Sequence, residues 1–415
     1  MTTKESEYDW IIIGGGISGI SIAEILCREG KSVLLLEKND TLASETSKGF
    51  HEWVHSGALY TLVPDNLLTL RYLLGATDDL IEYYSSFPGM NLTPSVSGLK
   101  INELGWFNDD RIEFLYKIHK LNPIWLSLVS RSVELIGMVG THDWLRKRAG
   151  SEYGGSHIQL QDKFKNTVAQ LRSKSDFFSV SSPDFTMNSR MLVSDLLSSA
   201  VNNGLDIMTG AEAEAISDKN SIVHVNVLGS SYRTKNVVVC SPVATSKFFD
   251  FPIKTSYAPM AVVESIPDNE NSFVELDYWP RKCINLLKKG NSIGLAGGIT
   301  LDNKSDIKSY LKYVIERHKR RNPSLKVVDS YVGLKQELVK KGENRNYLYH
   351  INQTSPNVWT VVLGKFTLAF SMAPEFYRRV YNKNPNKIVK VGLSSEINPV
   401  LSETAWQEII SNKRR

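Results

Sequence analysis

Residues 9–38 read DWIIIGGGISGISIAEILCREGKSVLLLEK, and this stretch decides the fold of the chain. Four apolar residues (10–13) predict a buried strand that runs into Gly14, Gly16 and Gly19. Apolar residues then recur at three- and four-residue spacing, which predicts a helix, and a second apolar run ends at Glu37. The order strand, glycines, helix, strand and acid predicts the β-α-β unit of a Rossmann-like fold.

The three glycines and the acid each have a physical role in holding a dinucleotide. Gly14 allows a tight turn, Gly16 lets the backbone approach a pyrophosphate, and Gly19 lets the helix pack closely on the sheet. The helix begins beside the phosphates, so its free N–H groups and positive dipole end stabilise their negative charge. Glu37 can accept hydrogen bonds from a ribose. The segment therefore predicts a dinucleotide site, although the acid alone does not separate NAD from FAD.

The surroundings of this segment favour FAD. The glycines stand close to residue 1, and the serine-rich stretch SETS (44–47) follows the second strand. This layout resembles that of the large FAD-binding oxidoreductases, and the resemblance implies that the dinucleotide is FAD.

The composition is that of an ordinary globular protein. The 415 residues are 42% hydrophobic and 22% charged, which suffices for a large core and two domains. The net charge of the chain is +5. The basic runs at 146–148, 317–321 and 413–415 are interpreted as solvated faces, and the alternative is that they attract an anionic substrate or a membrane surface. Aromatic residues do not alternate with the basic ones, so the sequence does not indicate a nucleic-acid-binding surface. Three widely spaced cysteines predict neither disulfides nor a metal site and favour a reducing cytoplasm, and no apolar run predicts a spanning helix.

The rest of the chain predicts a second domain interleaved with the first. The patterns indicate helices at 66–87, 111–148, 190–203 and 305–318, and strands at 205–216, 222–227, 237–239, 258–266, 292–299, 327–338 and 358–363. The strands at 327–338 and 358–363 are expected to lead back to the cofactor. The predicted fold class is α/β. A Rossmann-like FAD-binding domain (1–95, 150–250 and 327–415) is interleaved with a smaller α+β substrate or cap domain (96–149 and 251–326) that carries a mixed or antiparallel sheet.

Three further motifs follow in order: HSGALY at 55–60, YVGLK at 331–335 and GKFTLAFSMA at 364–373. They are similar to HGGLRY, WxGxR and GKLTTYRxMA of the FAD-dependent glycerol-3-phosphate dehydrogenase and oxidase family, within the wider D-amino-acid-oxidase-like flavoproteins. Residues 137–145 loosely resemble a helical region of the same family. The resemblance implies an enzyme that oxidises a secondary alcohol, CH–OH to C=O, by hydride transfer to flavin N5.

Three family arginines near the substrate are replaced here by Leu59, Lys335 and Phe370. The planar fork of arginine grips a phosphate at two points, whereas lysine is a point charge. We therefore expect glycerol-3-phosphate to be a poor substrate.

The resemblance places candidate catalytic residues beside the flavin ring. His55 is expected to take a hydroxyl proton, with a structural loop histidine as the alternative. Lys335 is expected to pair with an acidic substrate or to act as the base. The alternative is that it is a solvated lysine at a strand end. Lys365 follows Gly364 at a helix start and is expected to stabilise negative charge on reduced flavin. Thr367 either caps that helix or meets the cofactor.

The remaining site predictions concern contacts with cofactor and substrate. Predicted cofactor contacts are Gly14, Gly16, Gly19, Glu37, Lys38, Ser47, Ala213, Gly364, Lys365, Phe366 and Thr367. Predicted substrate contacts are Leu59, Arg345 and His350. For the polar cluster at 345–350, the sequence favours neither a position in the cavity wall nor one at the protein surface. His51 is interpreted as a surface or loop residue.

The predicted substrate is a small polyol, sugar derivative or hydroxy acid. An amine substrate (CH–NH) and a non-catalytic FAD-bound interaction protein are the alternatives. Oxygen, a quinone and a carrier protein all stay open as the electron acceptor. The predicted location is cytoplasmic, with peripheral membrane contact as an open alternative.

Overall fold

The computed structural model describes residues 8–60, 65, 68–95, 98–101, 104–117, 177–219, 221–277, 282–290, 292–389 and 400–414. The predictions for 118–148, which include the helical region at 137–145 and the basic run at 146–148, lie outside these residues.

The opening segment forms the predicted β-α-β unit. Strand β1 (Tyr8–Ile13) pairs in parallel with β2 (Val33–Leu36), and helix α1 (Ile17–Arg28) connects them. Ile12 of β1 packs into one apolar layer together with α1, and its neighbour Ile11 packs into the layer on the opposite face. Because both faces of β1 are covered, its continuous apolar sequence is that of a buried parallel strand.

The other elements are numbered in chain order. The strands are β3 (Trp53–Val54), β4 (Leu92–Ser95), β5 (Gly98–Ile101), β6 (Phe107–Lys117), β7 (Phe177–Met187), β8 (Leu205–Met208), β9 (Ala213–Lys219), β10 (Ile222–Val227), β11 (Ser230–Val239), β12 (Ile253–Glu264), β13 (Ser272–Leu276), β14 (Ile284–Lys288), β15 (Gly294–Gly298), β16 (Lys326–Leu338), β17 (Tyr349–Ser355) and β18 (Val358–Leu363). The α-helices are α2 (Leu68–Tyr84), α3 (Ser189–Asn202), α4 (Pro242–Phe248), α5 (Ile307–Arg321), α6 (Ala369–Tyr381) and α7 (Ala405–Arg414). Short 3-10 turns cover Ala58–Tyr60, Lys304–Asp306 and Phe366–Leu368.

The first sheet is the Rossmann-like one. Its strand order is β17-β18-β11-β1-β2-β8, in which all neighbours are parallel except β17 with β18. Helix α1 packs against α3 and α6 on one face. Strands β9 and β10 form an antiparallel meander with β11 and cover the other face.

The second sheet has the order β16-β12-β15-β14-β13-β6-β7-β3. Its pairs are antiparallel except for β13 with β6, so the sheet is mixed, as predicted. The α/β fold class is confirmed, whereas the domain boundaries stay a prediction. Within the described part of the chain, no helix has the length and apolar character needed to cross a membrane.

Three local predictions were wrong. Residues 111–117 belong to β6, not to a helix, because they pair with β13 and β7 on both sides. The single strand predicted at 205–216 is two strands, separated by a turn in which Gly210 has a φ of +61°. The strand predicted at 327–338 is present as β16, but it pairs with β12 in the second sheet and does not join the cofactor sheet.

Candidate functional site

A cavity of about 500 Å³ lies between the two sheets. Its floor is formed where β1, β2, β11 and β18 end, at Gly16, Glu37, Ser241 and Gly364. Ligands of open α/β sheets bind outside the carboxyl ends of the strands. The opposite wall comes from β12 to β16 of the second sheet.

The glycines of the first motif shape one end of this cavity. Gly14 has a φ of +111°, which an L-residue rarely adopts. A Cβ at Gly19 would lie 1.9 Å from the carbonyl oxygen of Gly14, so helix and loop are in backbone contact. A Cβ at Gly16 would point at Ser47, whose Oγ accepts a 2.9 Å hydrogen bond from the N–H of Ile17. The first turn of α1 carries no acidic residue, so nothing there repels a phosphate.

Glu37 is buried at the end of β2. One carboxylate oxygen accepts a 2.8 Å hydrogen bond from the N–H of Gly15, and the other accepts one of 2.9 Å from Asn39. Each oxygen has a second lone pair that can accept from a ribose hydroxyl. The carboxylate therefore ties the glycine loop to β2 at the place where the sequence predicts ribose binding.

Four predicted contacts are not among the residues that line the cavity, and the first is Gly19, which packs against the Gly14 carbonyl. Lys38 forms a 2.6 Å ion pair with Glu45, Ala213 packs into the apolar layer under β9, and His350 lies on β17. The other predicted cofactor and substrate contacts line the cavity, and so do the two predicted catalytic residues. The contacts are Gly14, Gly16, Glu37, Ser47, Gly364, Lys365, Phe366, Thr367, Leu59 and Arg345, and the catalytic residues are His55 and Lys335.

His55 lies at the other end of the cavity, directly after β3. Its imidazole packs on the Trp53 ring with a centroid distance of 4.1 Å, and its backbone N–H donates to Thr367 Oγ1 at 3.2 Å. Burial and the nearby Lys365 and Lys335 ammonium groups hold the pKa of His55 well below its usual value. The imidazole is therefore uncharged at neutral pH. Thr367 thus binds the His55 backbone, a role that the sequence does not predict.

Positive groups surround a single carboxylate on the second wall of the cavity. Glu337 accepts from Lys335 at 2.8 Å and from Arg345 at 2.7 Å. Burial lowers the pKa of Lys335 to about 8, while Glu337 opposes the shift. Lys365 lies 4.9 Å from the Tyr347 ring centroid, and burial holds its pKa well below the usual value. The cluster therefore has an excess of cationic groups over carboxylates.

The arginine in this cluster is partly engaged. Nε and one terminal nitrogen of Arg345 donate to Glu337, and the other terminal nitrogen donates to Thr300. Three of its five N–H donors are therefore in use, and Glu337 occupies the Nε side of its fork.

Two interpretations from the sequence need correction. His51 is not a surface residue: it lines the cavity, and burial lowers its pKa well below the usual value. Phe370 does not face the substrate space: it is 1% exposed and packs edge-on against Tyr84 at 5.7 Å, because α6 turns it into the helical layer. Leu59 and Lys335, the other two replacements, do line the cavity.

The sequence missed several residues of the site. Trp53, Tyr60 and Glu337 line or adjoin the cavity, and Asp184 lies behind His55. Glu337 follows Lys335 at i+2 on β16, a spacing that places both side chains on one face of a strand. That spacing was available in the sequence, whereas Asp184 lies in a polar stretch without periodicity.

The residues present fit FAD. The cavity wall at Gly16 and the positive end of α1 suit a pyrophosphate, Glu37 suits a ribose, and the cavity continues to Lys365 and His55. The buried Nδ1 atoms of His51 and His55 have no hydrogen-bond partner among the described residues, so polar atoms are available at the far end.

Comparisons with known proteins agree with this fit. This chain is 29% identical to L-2-hydroxyglutarate dehydrogenase from Arabidopsis thaliana over 86 residues, which is 21% of this chain. It is 47% identical to glycerol-3-phosphate dehydrogenase from Pseudomonas tolaasii over 53 residues, which is 13% of this chain. These matches span 17% and 10% of the relatives' own lengths.

Solved structures share the fold over nearly the whole chain. L-α-glycerophosphate oxidase from Mycoplasma pneumoniae with FAD bound has a TM-score of 0.64 at 17% identity, covering 94% of this chain and 97% of that one. L-proline dehydrogenase from P. horikoshii has a TM-score of 0.61 at 11% identity, covering 95% and 97%.

The family description that matches is FAD dependent oxidoreductase, over residues 9–362. That range contains the glycine loop, His55, Lys335 and the strand before Gly364. The chain therefore belongs to the FAD dependent oxidoreductase family and is an enzyme that uses FAD.

Proposed function

We propose that this enzyme oxidises a secondary alcohol, CH–OH to C=O, in a small hydroxy acid, polyol or sugar derivative. The observation that carries the proposal is an uncharged, buried His55 in the same cavity as the Lys335 and Arg345 cations. An uncharged imidazole can accept a proton, and the cations favour a substrate that is neutral or negatively charged.

The chemistry divides between cofactor and protein. FAD, when bound, supplies the hydride acceptor. The substrate C–H bond breaks with its electron pair leaving as hydride, the O–H bond breaks with its proton passing to His55, and the C=O bond forms. Lys335 orients a negative group of the substrate. Glu337 keeps Lys335 charged up to about pH 8 by opposing the effect of burial.

Oxidation of an amine is the second candidate. Its support is the fold, which this chain shares with L-proline dehydrogenase and with L-amino acid deaminase from Proteus vulgaris (TM-score 0.63, 14% identity). The charges of the cavity argue against an amine that lacks a carboxylate, because such a substrate is cationic at neutral pH and would meet the Lys335 and Arg345 cations.

Anaerobic reduction of the bound flavin distinguishes the two candidates. Purified holoenzyme is mixed with hydroxy acids, polyols, sugar phosphates and amino acids, and the loss of flavin absorbance is followed. We expect a hydroxy acid or polyol to reduce the flavin, and glycerol-3-phosphate to do so poorly because Glu337 occupies the Nε side of the Arg345 fork. Reduction by amines alone would replace the alcohol proposal with the amine one.

The same assay tests the role of His55. His55→Gln should slow flavin reduction by about a hundredfold to ten-thousandfold, the usual contribution of a general base, with FAD content unchanged. His350→Gln is the matched control, since it alters a histidine outside the cavity lining. Equal rates in wild type and His55→Gln would assign proton removal to another group.

A further inference from the structure

A buried carboxylate lies directly behind His55. Asp184 is 2% exposed on β7, and its Oδ2 lies 3.7 Å from Nδ1 of His55. Oδ2 also accepts a 2.8 Å hydrogen bond from the Trp53 indole, and Oδ1 accepts from the backbone N–H of Ser56 at 2.9 Å and from its hydroxyl. The donors come from the residues on either side of Val54 and His55, so the carboxylate organises the segment that presents the imidazole.

Burial of this carboxylate is costly, and the contacts offset the cost. Burial raises the pKa of Asp184, while the hydrogen bonds from Ser56 and Trp53 and the nearby Lys365 oppose the rise. Three donors aimed at two oxygens favour the ionised form, which accepts hydrogen bonds at both atoms. An ionised carboxylate beside a neutral imidazole attracts a ring N–H.

We propose that Asp184 is a positioning residue that fixes His55 as the tautomer with its proton on Nδ1, which leaves the Nε2 lone pair for the substrate. The proposal rests on the role of His55 in the proposed function. Nδ1 of His55 is buried and has no hydrogen-bond partner among the described residues, so Asp184 is the acceptor that geometry offers it. The 3.7 Å separation is longer than a hydrogen bond, and such contacts tighten when a substrate is bound.

The two roles of a carboxylate in this place have different consequences. If Asp184 merely joins β7 to the segment after β3, its replacement changes stability and leaves the tautomer of His55 as it was. If Asp184 orients the imidazole, the neutral Nδ1–H form loses its acceptor and the proton redistributes between the two nitrogens. The charged groups that also face His55 are Lys365 and Lys335. An ammonium group cannot accept an N–H bond, whereas a carboxylate can.

The tautomer can be read directly by ¹⁵N NMR of histidine-labelled holoenzyme near pH 7.5, with His55→Gln used to assign the His55 signals. We expect the Nδ1–H tautomer in the wild type. Asp184→Asn should shift at least half of the population to Nε2–H while the FAD-to-protein ratio is retained. Asp195→Asn is the matched control, because Asp195 also accepts from an indole (Trp106, 2.8 Å) and a backbone N–H (Gly89, 3.1 Å) but lies on α3 and not on β7 behind His55. It should leave the His55 signals unchanged.

Two results would overturn the proposal: an Nε2–H tautomer in the wild type, or an Nδ1–H tautomer that persists in Asp184→Asn. The first needs only His55→Gln for the assignment, so a failure of Asp184→Asn to fold leaves the proposal testable. Neither result depends on a substrate, so the failure of the positioning role is distinguishable from that of the proposed alcohol oxidation. With the compound that reduces wild-type flavin fastest, Asp184→Asn should lower the limiting reduction rate by about a hundredfold or more, with little change in the concentration for half-maximal rate.

Discussion

At the scale of single residues, Lys335 has the most informative environment. Burial lowers its pKa to about 8, and Glu337 opposes the shift. The ammonium is therefore charged below about pH 8 and neutral above it. The pKa values of Lys365 and Glu337 are lowered and those of Arg345 and Tyr347 are raised from their usual values. Lys335 is thus a group of the site that loses its positive charge as pH rises through about 8.

This environment predicts a pH-dependent anion affinity. Sulfate binding to the holoenzyme, followed by the change in flavin absorbance, should weaken as pH rises through about 8, approaching tenfold per pH unit above it. Lys335→Met should bind sulfate more weakly and show no such step. Lys312→Met, which removes an exposed lysine on α5, should behave as wild type. A step of the same size in Lys335→Met would show that another group titrates.

The sequence predicted much of the site because its chemistry lies in short motifs. The glycine loop, Glu37, His55, Lys335 and Lys365 all belong to contiguous patterns that carry a local reason for their residue types. Asp184 was missed for a physical reason: its role comes from β7 pairing with β3, which brings together residues 128 positions apart in the chain. No local pattern reports such a pairing.

At the scale of elements, a buried ion pair joins three segments to the strand that carries His55. Glu52, just before β3, has a φ of +56° and is 1% exposed. Its carboxylate accepts from Lys289 after β14 at 2.8 Å, from the Ser189 N–H at the start of α3 at 2.9 Å, and from the Trp406 indole of α7 at 2.9 Å. The backbone conformation of Glu52 is rare for a non-glycine residue and persists where surrounding contacts hold it.

Removal of the cation from this pair should be costly. Lys289→Met leaves the Glu52 charge buried and unpaired with a cation, which should lower the free energy of unfolding by about 3–5 kcal/mol. Glu52→Gln combined with Lys289→Met should recover part of the loss, as measured by denaturant unfolding. Lys312→Met is the control: its 3.9 Å contact with Glu316 is exposed and should be worth less than about 1 kcal/mol. Similar losses for both lysines would mean that water reaches Glu52.

Element predictions succeeded where one element sits in a clear local pattern and failed where a partner strand decided the outcome. Helix α3 covers Ser189–Asn202, within one residue of the predicted helix at 190–203. Residues 111–117 carry apolar spacing that is compatible with a helix, yet the backbone hydrogen bonds of β6 go to β7 and β13. The placement of β16 likewise depends on β12, its antiparallel partner across twelve residue pairs.

At the scale of the whole molecule, function depends on how closely the two sheets meet. The first sheet carries the glycine loop and Glu37, which we propose contact the cofactor, and the second carries Lys335 and Glu337, which we propose face the substrate. The two parts touch backbone to backbone at one point: a Cβ on Gly333 of β16 would lie 2.0 Å from the carbonyl oxygen of Gly49, in the loop before β3. Both glycines line the cavity.

This contact makes Gly333 a test of how the cavity is closed. Gly333→Ala cannot fit without moving β16 away from the Gly49 loop, because the obstructing atom is backbone and cannot rotate aside. We expect weaker FAD binding, seen as a lower FAD-to-protein ratio after gel filtration and as flavin fluorescence released at a lower temperature than the loss of secondary structure. Gly75→Ala is the control, since a Cβ there meets nothing within 4 Å on α2. It should retain FAD and gain about 0.5–1 kcal/mol of stability. If Gly333→Ala instead keeps full FAD occupancy and releases FAD only on unfolding, the backbone contact does not hold the sheets together around the cofactor, and closure must come from the side chains on the cavity walls.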